Sequence, residues 1–414
     1  MAIKFKKNIN KAVCITMLTG LIGASAATVI PTVDNSTASA KSVYKVKNGK
    51  LISIKTGKVV KGYKVFKSTL YKNGKKYTGV YKGYLYKSGM KFTGSYKGYQ
   101  YRKGAKFTGR KDDITYQYGK VVYAKNVSKV ANTAIVYVED KNLLHTLNDL
   151  MGHKNLSQNI KVADLRNLKG TLYLNGDTDE REYFGMMDYV NIQPLAFCTN
   201  ISELSIANNA INNLMPISNL TNLKKLNISF NKINSIDPLE KLVNLTELKV
   251  AGNTLKDIMV IGNFKNLKAL NAWDNKIENI EEISKATNLE IVDLNDNKIK
   301  NISELASLKS LKELNLTNNM IRDIDILSEN TSLETLYLSY NSISSVKGLE
   351  ALPNLKTLYI NSNYLTSMDL LAQIKTLTTL HIEKNNIPEA SILPISTWES
   401  MKVEDYINDT NAGY

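Results

Sequence analysis

From residue 201 onward, apolar side chains recur in one frame, L-x-x-L-x-L, closed by an asparagine and followed two positions later by Ile or Leu. Asn209, Asn231, Asn253, Asn275, Asn297, Asn319, Asn341, Asn363 and Asn385 stand 22 residues apart without a slip. One unit reads Leu223, Leu226, Ile228, Asn231 and another Leu311, Leu314, Leu316, Asn319. Behind each Asn come Ile233, Ile299 or Ile343, then apolar residues at three-residue steps, as in Ile236, Leu239 and Leu242. The frame predicts a short strand with its leucines on one face. The three-residue step predicts a 3₁₀-like return. One such coil cannot bury its own apolar side, so the pattern requires stacking. The asparagine sits at the sharp turn, where its amide can satisfy backbone groups that stacking would bury unpaired. Leu172, Leu174 and Asp177 mimic the frame, with Asp177 lying 32 residues before Asn209, and predict a degenerate tenth unit carrying an insertion.

A stack needs a closed end. Leu143, Leu144, Leu147, Leu150 and Met151 fall at helical spacing with Gly152 as a stop, and Ile160, Val162, Leu165 and Leu168 predict a second short helix over 159–169. This helical cap and the rhythm of NLTNLKKLNISFNKINSIDPLEKL (219–242) resemble the internalin family, leucine-rich surface proteins of Gram-positive bacteria, over roughly residues 139–392. The resemblance implies an exported protein that binds a protein partner on the concave face of its sheet. The sequence after the repeats shows neither an immunoglobulin-like segment nor a covalent wall-sorting signal, so attachment is expected to be non-covalent. The expected fold class is an α/β solenoid: a leucine-rich-repeat horseshoe of 22-residue coils with an N-terminal helical cap, preceded by a small β-hairpin repeat region.

That preceding region repeats with a period of 15: LYKNGKKYTGVYKGY (70–84), LYKSGMKFTGSYKGY (85–99) and QYRKGAKFTGR (100–110). Asn73-Gly74 and Ser88-Gly89 are hairpin turns of the type that needs two left-handed residues. The segment predicts a run of hairpins, each too small to be stable alone. It is similar in style to the aromatic-and-glycine repeats of bacterial wall-binding modules.

Charge divides the chain the same way. The net charge is +16, but residues 41–125 hold 23 Lys/Arg against 2 Asp/Glu, whereas 126–414 hold 27 against 35. A basic arm joined to a mildly acidic body suggests different partners for each. Lys4, Lys6, Lys7 and Lys11 ahead of an apolar stretch, then Ala24-Ser25-Ala26 and Ala38-Ser39-Ala40, read as a signal peptide, with a retained membrane anchor as the alternative. No other segment is apolar enough to span a membrane, so the mature chain is expected to lack a transmembrane segment. Export leaves nucleic acid a poor partner for the arm. The expected organisation is a signal peptide (1–40), basic Tyr/Lys/Gly hairpin repeats (41–125), linker and cap (126–170), leucine-rich repeats (171–392) and a C-terminal cap or tail (393–414) with Trp398 and Tyr406.

Catalytic chemistry finds no framework. There is no G-x-S-x-G, P-loop, dinucleotide fingerprint or H-E-x-x-H. His145, His153 and His381 give no metal spacing, and no cofactor is expected. Asn175, Asp177 and Asp179 have calcium-loop spacing, but Glu180 stands where glycine is needed, so a polar insertion loop is expected. Asp112-Asp113 lacks a setting for acid/base work. Cys198 reads as a small buried hydrophobe; with Cys14 removed it has no partner. The chain is therefore expected to bind, not to catalyse.

Reading the strands in columns places Ser205, Asn227, Lys249, Asn271, Asp293, Asn315, Tyr337, Tyr359 and His381 along the centre of the concave face. Trp273 lies in the neighbouring column, and Phe230, Asp274, Asp296 and Tyr340 in the next. Solvent-facing aromatics are enriched at binding hot spots. Tyr337, Tyr340, Tyr359 and His381 form one candidate patch for a host or bacterial protein ligand; Trp273, Asp293, Asp296 and Glu313 form a second, acidic one. In the arm, Tyr71, Lys76, Tyr86, Lys91, Tyr101 and Lys106 are candidates for an anionic cell-wall polymer, lysines meeting phosphates and tyrosines packing on sugars. A solvated spacer is the other reading of the arm. For the whole chain, a wall-associated structural protein and a freely secreted effector are the alternatives to an adhesin.

Overall fold

The computed structural model describes residues 44–176 and 189–388. The signal-peptide stretch with Cys14, the positions Asp177, Asp179 and Glu180, and the tail with Trp398 and Tyr406 lie outside the described residues.

Ten strands form one parallel sheet, running from Gly170–Tyr173 through Ile201–Ser205 and Lys225–Asn227 to Thr357–Tyr359 and Thr379–His381. The degenerate first unit is a true strand: Leu172 pairs with Leu204 and Tyr173 with Ser205. The next eight pairings hold one register, Leu226 beside Leu248 and Tyr337 beside Tyr359. The middle residue of each three-residue strand is buried and its neighbours face out. The return segments are short 3₁₀ helices, among them Asp237–Leu239, Ser303–Ser307 and Asp325–Glu329. The buried Leu and Ile side chains of every coil join one continuous core. Each such side chain contributes roughly 1.5–3 kcal/mol.

The asparagines close every coil onto the one before. Asn297 Nδ2 donates to Ala272 O, Leu294 O and Asn295 O, and its Oδ1 accepts from Ile277 N at 2.9 Å. The same four bonds recur at Asn231, Asn253, Asn275, Asn319, Asn341 and Asn363. A second ladder was not read from the sequence. Asn222, Asn244, Asn266 and Asn288 each donate to a carbonyl of the preceding coil, at 2.8–3.1 Å. It stitches the side opposite the first turn.

The end of the stack is closed by α1 (Lys141–Leu150) and α2 (Val162–Arg166). Asp140 caps α1 by accepting from Asn142 N and Leu143 N, and the left-handed Gly152 follows its end. Leu143, Leu147, Val162 and Leu165 are fully buried in the same core as the coils. Arg166 donates to Val127 O and Val130 O, tying the segment before the cap to α2. His145 bonds Ser157, and His153 bonds the buried Asn148, so both histidines are structural. Among the described residues no helix is long and apolar enough to cross a membrane.

The chain divides into two compact units, residues 1–76 and 77–414, so the division falls within the hairpin run. In the first, Tyr63–Phe66 pairs with Thr69–Lys72, which turns through Asn73-Gly74 onto Lys75–Lys76. Leu51 N donates to Gly74 O, and Leu51, Leu70 and Tyr71 form its interior.

The second unit begins with three more small sheets, centred on Tyr84–Lys87, Tyr99–Arg102 and Ile114–Gln117. Their turns interlock. Leu85 N donates to Gly104 O and Gln100 N to Gly119 O, while Ser88 N, Lys103 N and Tyr118 N donate to Thr78, Thr93 and Thr108 hydroxyls. A Cβ on Gly104 would stand 2.9 Å from Leu85 O, so the turn glycine lets one hairpin sit against the next. Stacking thus supplies what each hairpin lacks alone. Asp112 and Asp113 are the left-handed residues of one such turn, with Asp113 paired to Arg110 at 2.7 Å. The last hairpin runs into the cap: Val121 N donates to Ile135 O, Ile135 N to Gly98 O and Val136 N to Ile160 O. Tyr116 and Val121 share the core of α1 and the coils.

Asn297→Ala removes four bonds from a buried turn and is expected to destabilise the chain by about 2–4 kcal/mol. Asn385→Ala should cost less, because Asn385 is half-buried and donates only to Ile360 O and Ile382 O. Urea unfolding followed by circular dichroism compares them; equal costs would mean that the ladder carries no more load inside the stack than at its end.

Candidate functional site

The strand-lined face is built by alternation. In each coil the central leucine, or Val292 in the coil of Asp293, turns inward, and the flanking residues are left facing out on a sheet whose neighbouring strands lie about 4.8 Å apart. In-register pairing then places equal positions of successive coils in contact. The column expected from the sequence is present: Asp293 beside Asn315, Asn315 beside Tyr337, Tyr337 beside Tyr359, and Tyr359 beside His381.

Three of its members form a continuous stack. The Tyr337 and Tyr359 rings lie 4.9 Å apart at 26°, and Tyr359 and His381 lie 4.1 Å apart at 7°. Burial is the main cause that raises the Tyr337 hydroxyl from its ordinary value, with Glu313 and Tyr359 adding to it. Tyr340 is outside the stack, 54% exposed, on a left-handed residue of the same coil as Tyr337.

That left-handed conformation is a property of a whole column. Asn208, Phe230, Gly252, Asp274, Asp296, Asn318, Tyr340, Ser362 and Lys384, each just before a ladder asparagine, all have φ between 51° and 61°. Asn, Asp and Gly tolerate this region; for Phe and Tyr it costs about 1 kcal/mol. Phe230 reaches across Gly252 to meet Trp273 edge-on, with centroids 5.4 Å apart. A Cβ on Gly252 would lie 2.3 Å from the Phe230 ring. Gly252, which the column reading passed over, is what lets the two aromatics meet.

The next coils are acidic. Asp293 accepts from Asn295 N at 3.1 Å and from Asn271 Nδ2 at 3.3 Å. Burial raises its carboxyl above the ordinary value; the Asn295 bond opposes this, and Glu313 and Asp296 add to it. Asp296 accepts from Asn318. Among the described residues no Lys or Arg pairs with Asp293, Asp296 or Glu313. The nearby lysines are used elsewhere. Lys312 and Lys268 donate to Glu290 from either side at 2.8 and 2.9 Å, holding its carboxyl down at about 2, and Lys356 pairs with Glu334 at 2.7 Å. At the other end of the face, Tyr173, Glu203, Lys225, Glu247 and Lys249 line a shallow hollow in which Lys249 holds Glu247 at 2.9 Å.

The arm places its candidates unevenly. Tyr71 is buried in the interior of its own unit, with its cross-strand partner Lys76 exposed. Tyr86 and Tyr101 are half-buried, their hydroxyls raised chiefly by burial, and Tyr101 packs on Phe92 with centroids 6.3 Å apart. Tyr71 is thus an interior residue, whereas Tyr86 and Tyr101 keep part of their rings in solvent. Two rings that the sequence reading did not select carry lysines: Tyr84 is 39% exposed, and Tyr99 is half-buried with its hydroxyl accepting from Asn159 Nδ2 at 2.9 Å. Lys91 Nζ sits 3.6 Å from the Tyr84 ring centre and Lys106 Nζ 3.8 Å from that of Tyr99, one arrangement repeated after 15 residues.

Cys198 is fully buried, which pushes its thiol up to about 12 and leaves it inert. Among the described residues no group of three or more His, Cys, Asp or Glu is placed to hold a metal ion.

The family described as Leucine Rich repeats (2 copies) matches residues 221–263, 265–307, 287–329 and 331–373. No curated protein matches the chain. Among solved structures, an internalin (inlF) of Listeria monocytogenes is similar at 24% identity and a TM-score of 0.53, over 63% of this chain and 80% of that one. Internalin C2 of the same organism is similar at 25% identity and a TM-score of 0.46, over 58% of this chain and 96% of that one. The functional domain of InlJ, also from Listeria monocytogenes, follows at 20% and 0.47, over 64% of each chain. The fold is the leucine-rich-repeat solenoid seen in internalins.

Two substitutions test the face. A carboxyl raised by the fold contributes stability when protonated and loses it as pH rises through its folded value. Asp293→Asn should therefore match the native chain in acid and exceed it in stability at neutral pH. Its amide can also donate to Asn271 Oδ1, which is buried without a partner. Thermal unfolding across pH checks this; a less stable variant at neutral pH would show that the Asp293 charge is already compensated. Gly252→Ala should cost about 1–2 kcal/mol and part Phe230 from Trp273. In a Trp398→Phe background the emission of Trp273 should shift; unchanged emission would mean that the ring contact survives the added methyl.

Proposed function

We propose that this internalin-like leucine-rich-repeat chain is an exported, surface-associated binding protein. It captures a protein ligand on the strand-lined face, and its basic hairpins hold an anionic wall polymer. The observation that carries the reading is the Tyr337–Tyr359–His381 stack on the strand-lined face. Its rings are ordered before any partner arrives, so docking on them costs little side-chain entropy. Because the ring faces are spent on one another, the stack offers its edges, hydroxyls and imidazole nitrogens outward, a ribbon suited to protein backbone and side-chain acceptors.

Support for the arm comes from its charge and from the repeated Tyr84–Lys91 and Tyr99–Lys106 pairs. A lysine held over a ring is presented in a fixed place to a phosphate, and its salt-sensitive attraction suits a reversible, non-covalent hold. Lys76, Lys91 and Lys106 remain the lysines expected to meet the polymer; Tyr84 and Tyr99 replace Tyr71, Tyr86 and Tyr101 as the rings beside it.

Two measurements on the full chain test the proposal. Immobilised native chain and a Tyr337→Ala/Tyr359→Ala variant are compared for proteins retained from cell-surface extracts. A specific ligand should lose about 30-fold or more in affinity for the variant, as expected when a hot spot is removed. Retention independent of the stack would move the ligand elsewhere. Separately, the chain is sedimented with purified walls, intact or stripped of anionic polymer, across a salt series. Release by salt and by stripping is expected; sedimentation indifferent to both would refute the role given to the hairpins.

A further inference from the structure

The two surfaces complement each other as well as outside partners. In the three coils from Ala269 to Asn318, the outward columns hold Asp274, Asp293, Asp296 and Glu313 and no Lys or Arg. Phe230 is 43% and Ile291 45% exposed beside them. The hairpins of residues 77–124 carry ten Lys/Arg against two Asp, and those aspartates lie in one turn, next to Arg110 and Lys111. Lys82, Lys87, Lys91, Lys97 and Lys106 are all exposed, and among them Val80 is 61% and Met90 59% exposed. Each surface therefore mixes uncovered apolar side chains with charge, and the charges are opposite.

These hairpins are held away from the acidic coils of their own chain. Backbone bonds from Ile135 to Gly98 and from Val121 to Ile135 fix them to the cap, and Lys120–Ala124 packs against Gln193–Phe197 of the first coils. The strand of Asp293 is five strand spacings from the edge strand Gly170–Tyr173, about 24 Å away.

We propose that the lysine-rich hairpins of one copy dock on the acidic middle coils of a second copy of this chain. Lysine ammonium groups meet Asp293, Asp296 and Glu313, which have no cationic partner among the described residues, and Val80 and Met90 cover Phe230 and Ile291. A wall polymer on the hairpins, or a ligand on the face, competes with this contact, so self-association keeps both surfaces covered until their partners are present. The inference uses the two surfaces of the proposed function but not the identity of their ligands.

The test is complementation by sedimentation velocity of the full chain. At about 50 mM salt the native chain should self-associate, and about 500 mM should weaken this at least tenfold by screening. A face variant, Asp293→Asn/Asp296→Asn, and an arm variant, Lys87→Glu/Lys91→Glu/Lys106→Glu, should each remain monomeric alone. An equimolar mixture should form a dimer, since it restores one intact hairpin surface and one intact face. The proposal is overturned if the native chain is monomeric at low salt up to about 100 µM. It is also overturned if either variant still self-associates, if the mixture stays monomeric, or if the face binds an added lysine-rich peptide but never its own hairpins. None of these results depends on Tyr359, so they leave capture of a foreign ligand to be decided separately.

Discussion

The structure depends on one constraint: every backbone group that stacking takes from water must find a partner. A coil that turns sharply at its strand end buries carbonyls that no strand neighbour can reach. The ladder asparagine meets this need from a single side chain, giving two donors and one acceptor in positions that span two coils. Because its amide reaches back to the preceding coil, it also fixes the distance and rotation between coils. The constant strand register follows, and with it the alignment of surface residues into columns. The aromatic stack is thus a downstream result of a buried amide.

What was legible in the sequence is what repeats. The 22-residue spacing disclosed the strands, the 3₁₀ returns and the column of Tyr337, Tyr359 and His381, because identical geometry requires identical residue types at core and turn positions. The left-handed column stayed hidden for the opposite reason. Its members range from Gly252 to Phe230 and Lys384, because the conformation is imposed by the asparagine turn and tolerates many side chains. The second asparagine ladder stood in plain view at residues 222, 244, 266 and 288, but its donors act on the preceding coil, a partner that a reading of one unit does not contain. The same limit misled the reading of the arm. Tyr71, Tyr86 and Tyr101 look like one surface row, but Tyr71 is buried in its own unit, and Tyr86 and Tyr101 are half-buried, Tyr101 against Phe92.

The face also shows where local stability has been given up. Phe230 and Tyr340 occupy backbone conformations that disfavour them, and Asp293 carries a charge in a half-buried place with no cation to balance it. On this face an uncompensated charge or an uncovered ring gains most when something covers it. The alternating Lys268, Glu290, Lys312 and Lys356–Glu334 pairs beside it show the contrast: there the charges already answer one another and offer a partner little.

Each rung of the ring stack is supplied by a different coil, and each coil is a self-similar block of 22 residues whose ladder amide bonds only its own coil and its predecessor. A duplication or loss of one whole block would therefore lengthen or shorten the aromatic ribbon by one ring while leaving the remaining coils in phase. The exposed columns of such a stack can therefore change in whole steps, through recombination between its own repeats.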